Sequence, residues 1–370
     1  MNSLQTAQRI RNLELSAIRR ITEAAPAGAV NLGLGEIRFP PPACLIEKAK
    51  KILAEDLLGY TPNAGIIELR KSICSYYQID FTDNVCVTNG AEEAIFAVMF
   101  SYLEPGDEVI LADPTFPAYR TIAEMLSAKV VTFEQPAATA FRMDRDSFRR
   151  AFTSKTKLVF LNNPANPMGT CFNQEEMALI GQICCDRKVL LVADEVYREL
   201  FIAERPASFI DCQAETLCLS SLSKSHCLSG WRIGWVVSRI RSLIEPVIKV
   251  HQYLATCAPA LAQKVAVEAL AAAGMEASES IRQQLLINRE IAFQYLKNIN
   301  LLPNKSLPYL FAQVEEDDFQ VARKLAEEGV IVIPGSAFGA NAAGWIRINC
   351  GVEKDIFIRG MEILRDYLET

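Results

Sequence analysis

Five short runs punctuate the first two thirds of the chain, and in each the apolar residues follow one another with almost no polar interruption. They are NVCVTNG (84–90), DEVILADP (107–114), KLVFLNNP (157–164), KVLLVADE (188–195) and TLCLSSLS (216–223). A strand with one face in water alternates apolar and polar residues, whereas a strand covered on both faces does not. Between the runs lie helical patterns, including Ala91–Leu103 and Gln174–Arg187. Strand, turn and helix repeated in that order predict an α/β fold built on a large, doubly wound, mostly parallel sheet. Beyond about Val250 the texture changes. A tract rich in Ala, Glu, Gln and Leu over Ala258–Leu296 reads as helix, followed by strand patterns at Tyr309–Val314, Val330–Ile333 and Trp345–Asn349 and helices at 317–328 and 354–368. These predict a smaller α+β domain. The expected division is 31–250 for the large domain and 251–370 for the small C-terminal one, joined by the N-terminal segment 1–30. A long helix can cross the boundary near 245–255.

Composition narrows the classes of function. With 370 residues, half of them hydrophobic and 22% charged, the chain can bury a substantial core. A formal net charge of −6 without a dense basic run argues against nucleic-acid binding. The longest apolar stretches are strand-sized, far from the roughly 20 residues that span a bilayer. The first twenty residues contain no apolar core of a signal peptide. Eleven cysteines include no CxxC pair, and there are only two histidines, so we expect free thiols in a reducing cytoplasm and no metal site.

Polar residues gather where the apolar runs end. The five ends read Thr88-Asn89-Gly90, Asp113-Pro114, Asn162-Asn163, Asp194-Glu195 and Ser221-Leu222-Ser223-Lys224. In an open parallel sheet, ligands bind outside the carboxyl ends of the strands, so five polar ends point to one site. TNGAEEAIF leads from strand through glycine into helix, which suits a phosphate, although an ordinary helix start reads the same way. NNPANPMG is a tight turn by its Asn-Pro pairs. Asp194 follows four apolar residues and needs a cationic or hydrogen-bonding partner if buried. Lys224, in SLSKSHCLSGWRIGW, sits among small residues with no charged neighbour until Arg232. No GxGxxG or Walker A pattern supports a dinucleotide or ATP site.

Taken together, these motifs resemble the fold-type-I, pyridoxal-phosphate-dependent aminotransferases of class I/II. The resemblance runs from SAIRRI and NLGLGE through GYTPNAGIIELR, TNGAEEA, PGDEVILADPTFPAY, NNPANPMG and VADEVY to SLSKSHCLSGWRIGW and IRINCG. Asn166 precedes Asp194 by 28 residues, and Asp194 precedes Lys224 by 30. The resemblance implies pyridoxal 5′-phosphate held by Lys224 as an internal aldimine, with the same lysine moving the proton at the substrate α-carbon. Asp194 would pair with the ring nitrogen, Asn166 and Tyr197 would bond the phenolic oxygen, and Phe116 would stack on the ring. Gly90, Ala91, Glu92, Ser221 and Arg232 would hold the phosphate. Arg347 would clamp the substrate carboxylate, as a bidentate guanidinium can, with Gly35 close by. Tyr60 would reach the phosphate of a neighbouring subunit, implying a homodimer with shared active sites.

Several points depart from that pattern or stay open. Where the family commonly has GEPDF, this chain has GEIRF, with Ile37 and Arg38 in place of proline and aspartate. Arg38 near the site mouth suits an acidic substrate side chain, or is a surface arginine. Glu92 places a negative charge beside the phosphate loop, so its side chain should point away. His226 has no implied role and reads as a packed or surface residue. The expected reaction passes the amino group of an L-amino acid to a 2-oxo acid. The same fold also hosts C–S β-lyases and amino-acid cyclases, and aminotransferase-like domains occur as amino-acid sensors.

Overall fold

The computed structural model describes residues 6–11, 13, 21 and 25–369. Of the SAIRRI motif only Ile21 falls among them, and much of the N-terminal segment lies outside the described residues. Twelve strands are present among the described residues: β1 (Val30–Asn31), β2 (Val85–Thr88), β3 (Glu108–Asp113), β4 (Lys129–Glu134), β5 (Thr156–Asn162), β6 (Leu190–Asp194), β7 (Thr216–Ser221), β8 (Gly234–Val237), β9 (Tyr309–Gln313), β10 (Val330–Ile331), β11 (Ile333–Pro334) and β12 (Trp345–Asn349). All five apolar runs are strands. Seven strands form one sheet in the order β2-β8-β7-β6-β5-β3-β4. All its strands run parallel except β8, which pairs antiparallel with both β7 and β2.

The near-continuous apolar runs are explained by cover on both faces. On β6, Leu191 and Ala193 enter a cluster that includes helices Ala43–Glu55, Ile67–Tyr77 and Ala260–Ala269, while Leu190 and Val192 enter another with helices Gly90–Tyr102, Pro117–Met125 and Arg241–Ala255. A period of two therefore sends alternate residues to opposite cores, both dry. Two strands of this sheet went unread in the sequence. β4 is an edge strand with exposed polar ends, and β8 is only four residues long.

A third apolar cluster gathers Val30, Leu32, Ile37 and Phe39 with residues from Ile281 to Leu364 around the antiparallel sheet β11-β12-β9 and the parallel pair β1-β10. The helical tract after residue 258 is not one helix. It stops at Ala269 and restarts at Ala272, because Ala271 is extended and Gly274 packs directly on the end of the preceding helix. A Cβ at Gly274 would lie 2.3 Å from the Ala269 carbonyl oxygen.

The antiparallel β8 matters most for the site. Because it runs against its neighbours, its amino end lies beside the carboxyl ends of β7 and β2, with Gly234 opposite both Ser221 and Thr88. The approach is tight: a Cβ on Gly234 would lie 2.7 Å from the Gly90 carbonyl carbon and 2.9 Å from the Ala91 nitrogen. Backbone atoms cannot step aside as a side chain can. Gly234→Ala is therefore expected to lower the unfolding free energy by about 1–3 kcal/mol in urea titrations. Gly230→Ala, where an added Cβ meets nothing within 4 Å, should stay within about 0.5 kcal/mol of wild type.

Candidate active site

At the rim where β2, β5, β6 and β7 end, a cleft of about 340 Å³ opens between the two groups of elements, within the size range of small-molecule sites. Lys224, in the short helical turn after β7, is half-buried and donates its Nζ proton to the Gly35 carbonyl. Asp194, Asn166, Tyr197, Phe116, Ser221, Ala91 and Arg347 line the same cleft. Residues from nearly the whole length of the chain thus meet in one space.

Asp194 ends β6 and is almost fully buried. Its Oδ2 accepts from the Tyr119 hydroxyl at 2.7 Å and its Oδ1 from the Val196 N–H at 3.1 Å. It forms no ion pair among the described residues. Burial pushes its carboxyl up to about 6, against the two hydrogen bonds and the Lys224 charge, which pull it down. Such a group favours a cationic partner from outside the protein. Tyr119 itself is packed between Phe116 and Phe160, with ring centroids 5.5 and 4.6 Å away.

Arg347 on β12 presents the mirror case. Its guanidinium is 1% exposed, lies over the rings of Tyr309 (4.3 Å) and Phe338 (4.8 Å), and is drawn toward neutrality by burial. Nη1 donates to Asn166 Oδ1 at 2.8 Å and Nη2 to the Gly33 carbonyl at 2.5 Å, while the buried Nε has no partner. No carboxylate answers this cation among the described residues. A planar carboxylate arriving from the cleft would complete it.

The third part is a cradle. Gly90 has φ +79 and opens the helix Gly90–Tyr102, and a Cβ there would lie 2.7 Å from Arg232 Nη2. Arg232 reaches the Asn89 carbonyl (3.1 Å) and the Ser229 carbonyl (2.9 Å). Glu93 braces the turn by accepting from the Asn89 N–H and amide at 2.6 Å each, and lies 2.7 Å from the buried His251 Nδ1. Free N–H groups at a helix start beside a guanidinium suit a phosphate.

Other expected residues fall differently. Gly90 borders the cradle rather than the cleft wall. Tyr60 is 91% exposed and outside the cleft, so within one chain it does not join the others. Glu92 borders the cleft but is exposed to solvent there; desolvation and Asp194 raise its carboxyl, and the more weakly acting Arg232 and Lys224 lower it. Arg38 does not line the cleft and pairs with Glu36 at 3.3 Å, half-exposed. His226 is buried between Ser225 Oγ (2.8 Å) and the Ala269 carbonyl (3.0 Å), with burial pushing its pKa down to about 4, so it is a packed residue. Tyr119 and Tyr309 escaped the sequence reading. Tyr119 stood inside PTFPAY as one more aromatic, and Tyr309 looked like strand core.

The site accepts the cofactor that the motifs imply. An unpaired buried carboxylate at one end, a glycine–arginine cradle at the other and a lysine between them match a ring nitrogen, a phosphate and a carbonyl carbon. Among the described residues no cluster of potential metal ligands is found. The unpaired Asp194 also generates a prediction for the cofactor-free protein. Its folded pKa is raised, so the folded state keeps a proton that the unfolded chain has lost, and stability falls as pH rises from about 4 to about 6. The loss amounts to on the order of 3 kcal/mol, and Asp194→Asn should flatten that part of the curve of unfolding free energy against pH. An unchanged slope would contradict this reading of the carboxyl.

Known proteins resemble this chain over nearly its whole length. A family model described as aminotransferase class I and II matches residues 27–357. A probable aspartate aminotransferase of Methanocaldococcus jannaschii is 31% identical over 98% of this chain and all of its own. A probable N-acetyl-LL-diaminopimelate aminotransferase of Bacillus subtilis is 31% identical over 96% of this chain and 93% of its own. Among solved structures, aspartate aminotransferase from Thermus thermophilus with maleate superimposes with a TM-score of 0.93 at 25% identity, covering 99% of this chain and all of the other.

Proposed function

The chain belongs to the class I and II aminotransferase family, and from that premise we propose that pyridoxal 5′-phosphate lies in the cleft between Asp194 and the Gly90–Arg232 cradle, with Lys224 at its reacting carbon. The enzyme is a pyridoxal-phosphate-dependent aminotransferase: an amino acid gives up its amino group and a 2-oxo acid collects it. When bound, the cofactor supplies an electron sink and carries the amino group between the two halves of the reaction.

The remaining work belongs to the chain's own residues. Arg347 binds the substrate α-carboxylate in the plane between Tyr309 and Phe338, with Asn166 and the Gly33 carbonyl holding its other N–H groups. That grip would place the α-carbon before Lys224 Nζ, the group positioned to accept the α-proton and later return one. Asp194, whose carboxylate Tyr119 holds in place, would keep a proton on the ring nitrogen. Tyr197 and Asn166 would bond the phenolic oxygen, Ala91, Glu92 (through its N–H), Ser221 and Arg232 would hold the phosphate, and Phe116 would cover the ring. The observation that carries this reading is one cleft containing a lysine, an unpaired buried carboxylate and an unpaired buried guanidinium.

The same proposal extends to assembly. Tyr60 (91%), Leu57 (99%), Leu53 (61%) and Tyr253 (88%) are strongly exposed large apolar residues of two nearby segments. Asn63 Nδ2 ties the Tyr60 loop to the Thr256 carbonyl at 2.6 Å, close to Tyr253. A second copy covering this face would form a homodimer with shared active sites, with Tyr60 reaching the partner's cradle. We place residues 31–250 in the cofactor-binding unit and 251–370 in the smaller one, whose apolar cluster Ile21 and Val30 of the N-terminal segment join. The separate apolar clusters support two units, although Ala258–Ala269 pack on the large sheet and Leu32–Phe39 join the small one. No helix among the described residues is long and apolar enough to cross a membrane. Eleven free thiols support a reducing cytoplasm as the enzyme's location.

Relatives named for aspartate make aspartate with 2-oxoglutarate the first pair to test within a panel of amino acids. Stoichiometric 2-oxo acid formation without ammonia is expected, and acceptor-independent ammonia release would defeat transamination. Borohydride reduction of the yellow holoenzyme should mark the Lys224 peptide, and Lys224→Ala should lose at least about a thousandfold in turnover. Light scattering should give twice 41.1 kDa. Mixing Tyr60→Ala with Lys224→Ala protein should restore activity above the sum of the two. A fully active monomer would exclude the shared site.

A further inference from the structure

Tyr309 is 1% exposed at the start of β9, inside the apolar cluster of the small sheet, yet it lines the cleft. Its ring packs against the Arg347 guanidinium at 4.3 Å. Its hydroxyl lies 2.9 Å from the Tyr197 hydroxyl, and the two rings meet edge to face at 5.4 Å. One residue therefore touches both the group that grips the substrate and a group that bonds the cofactor. The register of β9 with β12 places Phe311 opposite Arg347, so Tyr309 stands diagonal to the arginine on the same face. Room for the hydroxyl comes from Gly35, where a Cβ would lie 2.8 Å away.

We propose that Tyr309 is a positioning residue of the reaction: its hydroxyl donates to Tyr197 and aims that phenol at the cofactor, while its ring holds Arg347 flat for the substrate carboxylate. The inference rests on the site reading above. Only one proton lies between the two hydroxyls. Either hydroxyl can give that proton; because Tyr197 gives its own to the cofactor's phenolic oxygen in the site reading above, the Tyr309 proton is the one left for the bond between them. A phenol that accepts one hydrogen bond donates a stronger one. Tyr197 then favours the state in which the cofactor's phenolic oxygen carries most negative charge. The groups facing this pair are Arg347 from β12, Asp194 at the end of β6 and Tyr119 behind it. None of them competes for the Tyr309 proton, since Asp194 is already bonded to Tyr119 and Val196.

The hydroxyl and the ring separate experimentally. In purified holoenzyme without substrate, the pH at which the visible cofactor band titrates should rise by about half a unit to one unit in Tyr309→Phe. That variant keeps the ring, so its KM for the amino acid should stay within about twofold of wild type. Tyr309→Leu should shift the band equally and also raise KM about tenfold, because the desolvated cation loses its aromatic neighbour. A Tyr309→Phe titration that superimposes on wild type would show a core tyrosine whose hydroxyl merely found a partner, and would overturn the relay. An unchanged KM in Tyr309→Leu would overturn the role of the ring. Should wild-type protein take up no pyridoxal phosphate at all, this inference and the site reading would fall together. A normal wild-type band with an unmoved variant sinks this inference alone.

Discussion

Burying an ion without a counter-ion costs several kcal/mol, and this fold does so twice in one cleft. Asp194 waits at the end of a strand with only hydrogen bonds to hold its charge, and Arg347 is sandwiched between two aromatic rings with one N–H unsatisfied. Neither arrangement serves stability. Each becomes favourable when a ligand brings the missing charge, so binding energy and orientation come from the same two residues. The surrounding core is built to keep them apart and dry: Phe160 and Tyr119 behind the carboxylate, Tyr309 and Phe338 around the guanidinium.

A strictly parallel sheet delivers only carboxyl ends to its rim. The reversed strand β8 adds an amino end there, and with it Arg232. The stretch between Lys224 and Arg232 is therefore the connection between two antiparallel neighbours, which brings lysine and arginine to opposite ends of one small space. Gly234 and Gly90 permit that closeness, since a side chain at either would strike the other's surroundings. The loop Asn89–Gly90 is in turn braced by Glu93 and His251 from within the helical layer.

Much of the site was legible before any fold was known. Five continuous apolar runs ending in polar groups were enough to foresee a buried parallel sheet with one functional rim. The identities of Lys224, Asp194, Asn166, Tyr197, Arg232 and Arg347 followed from motif order, and the fold brings those residues around one cleft. Glu92 stands at the cleft although its charge lies beside the phosphate loop, because its side chain stays exposed to solvent there. The break at Leu270–Ala271 was hidden within a composition that favours helix on both sides.

What the sequence determined by itself was local: which segments are strands buried on both faces, which ends are polar, and which residue types are available for chemistry. Period and polarity are properties of neighbouring residues, so they can be read along the chain. The tertiary structure alone decided that Tyr119 supports Asp194, that Tyr309 touches both Tyr197 and Arg347, and that Tyr60 stands exposed outside its own cleft. Those relations join residues 38 to 112 positions apart through strand order and register, and partners at such distances leave no periodic trace in the chain.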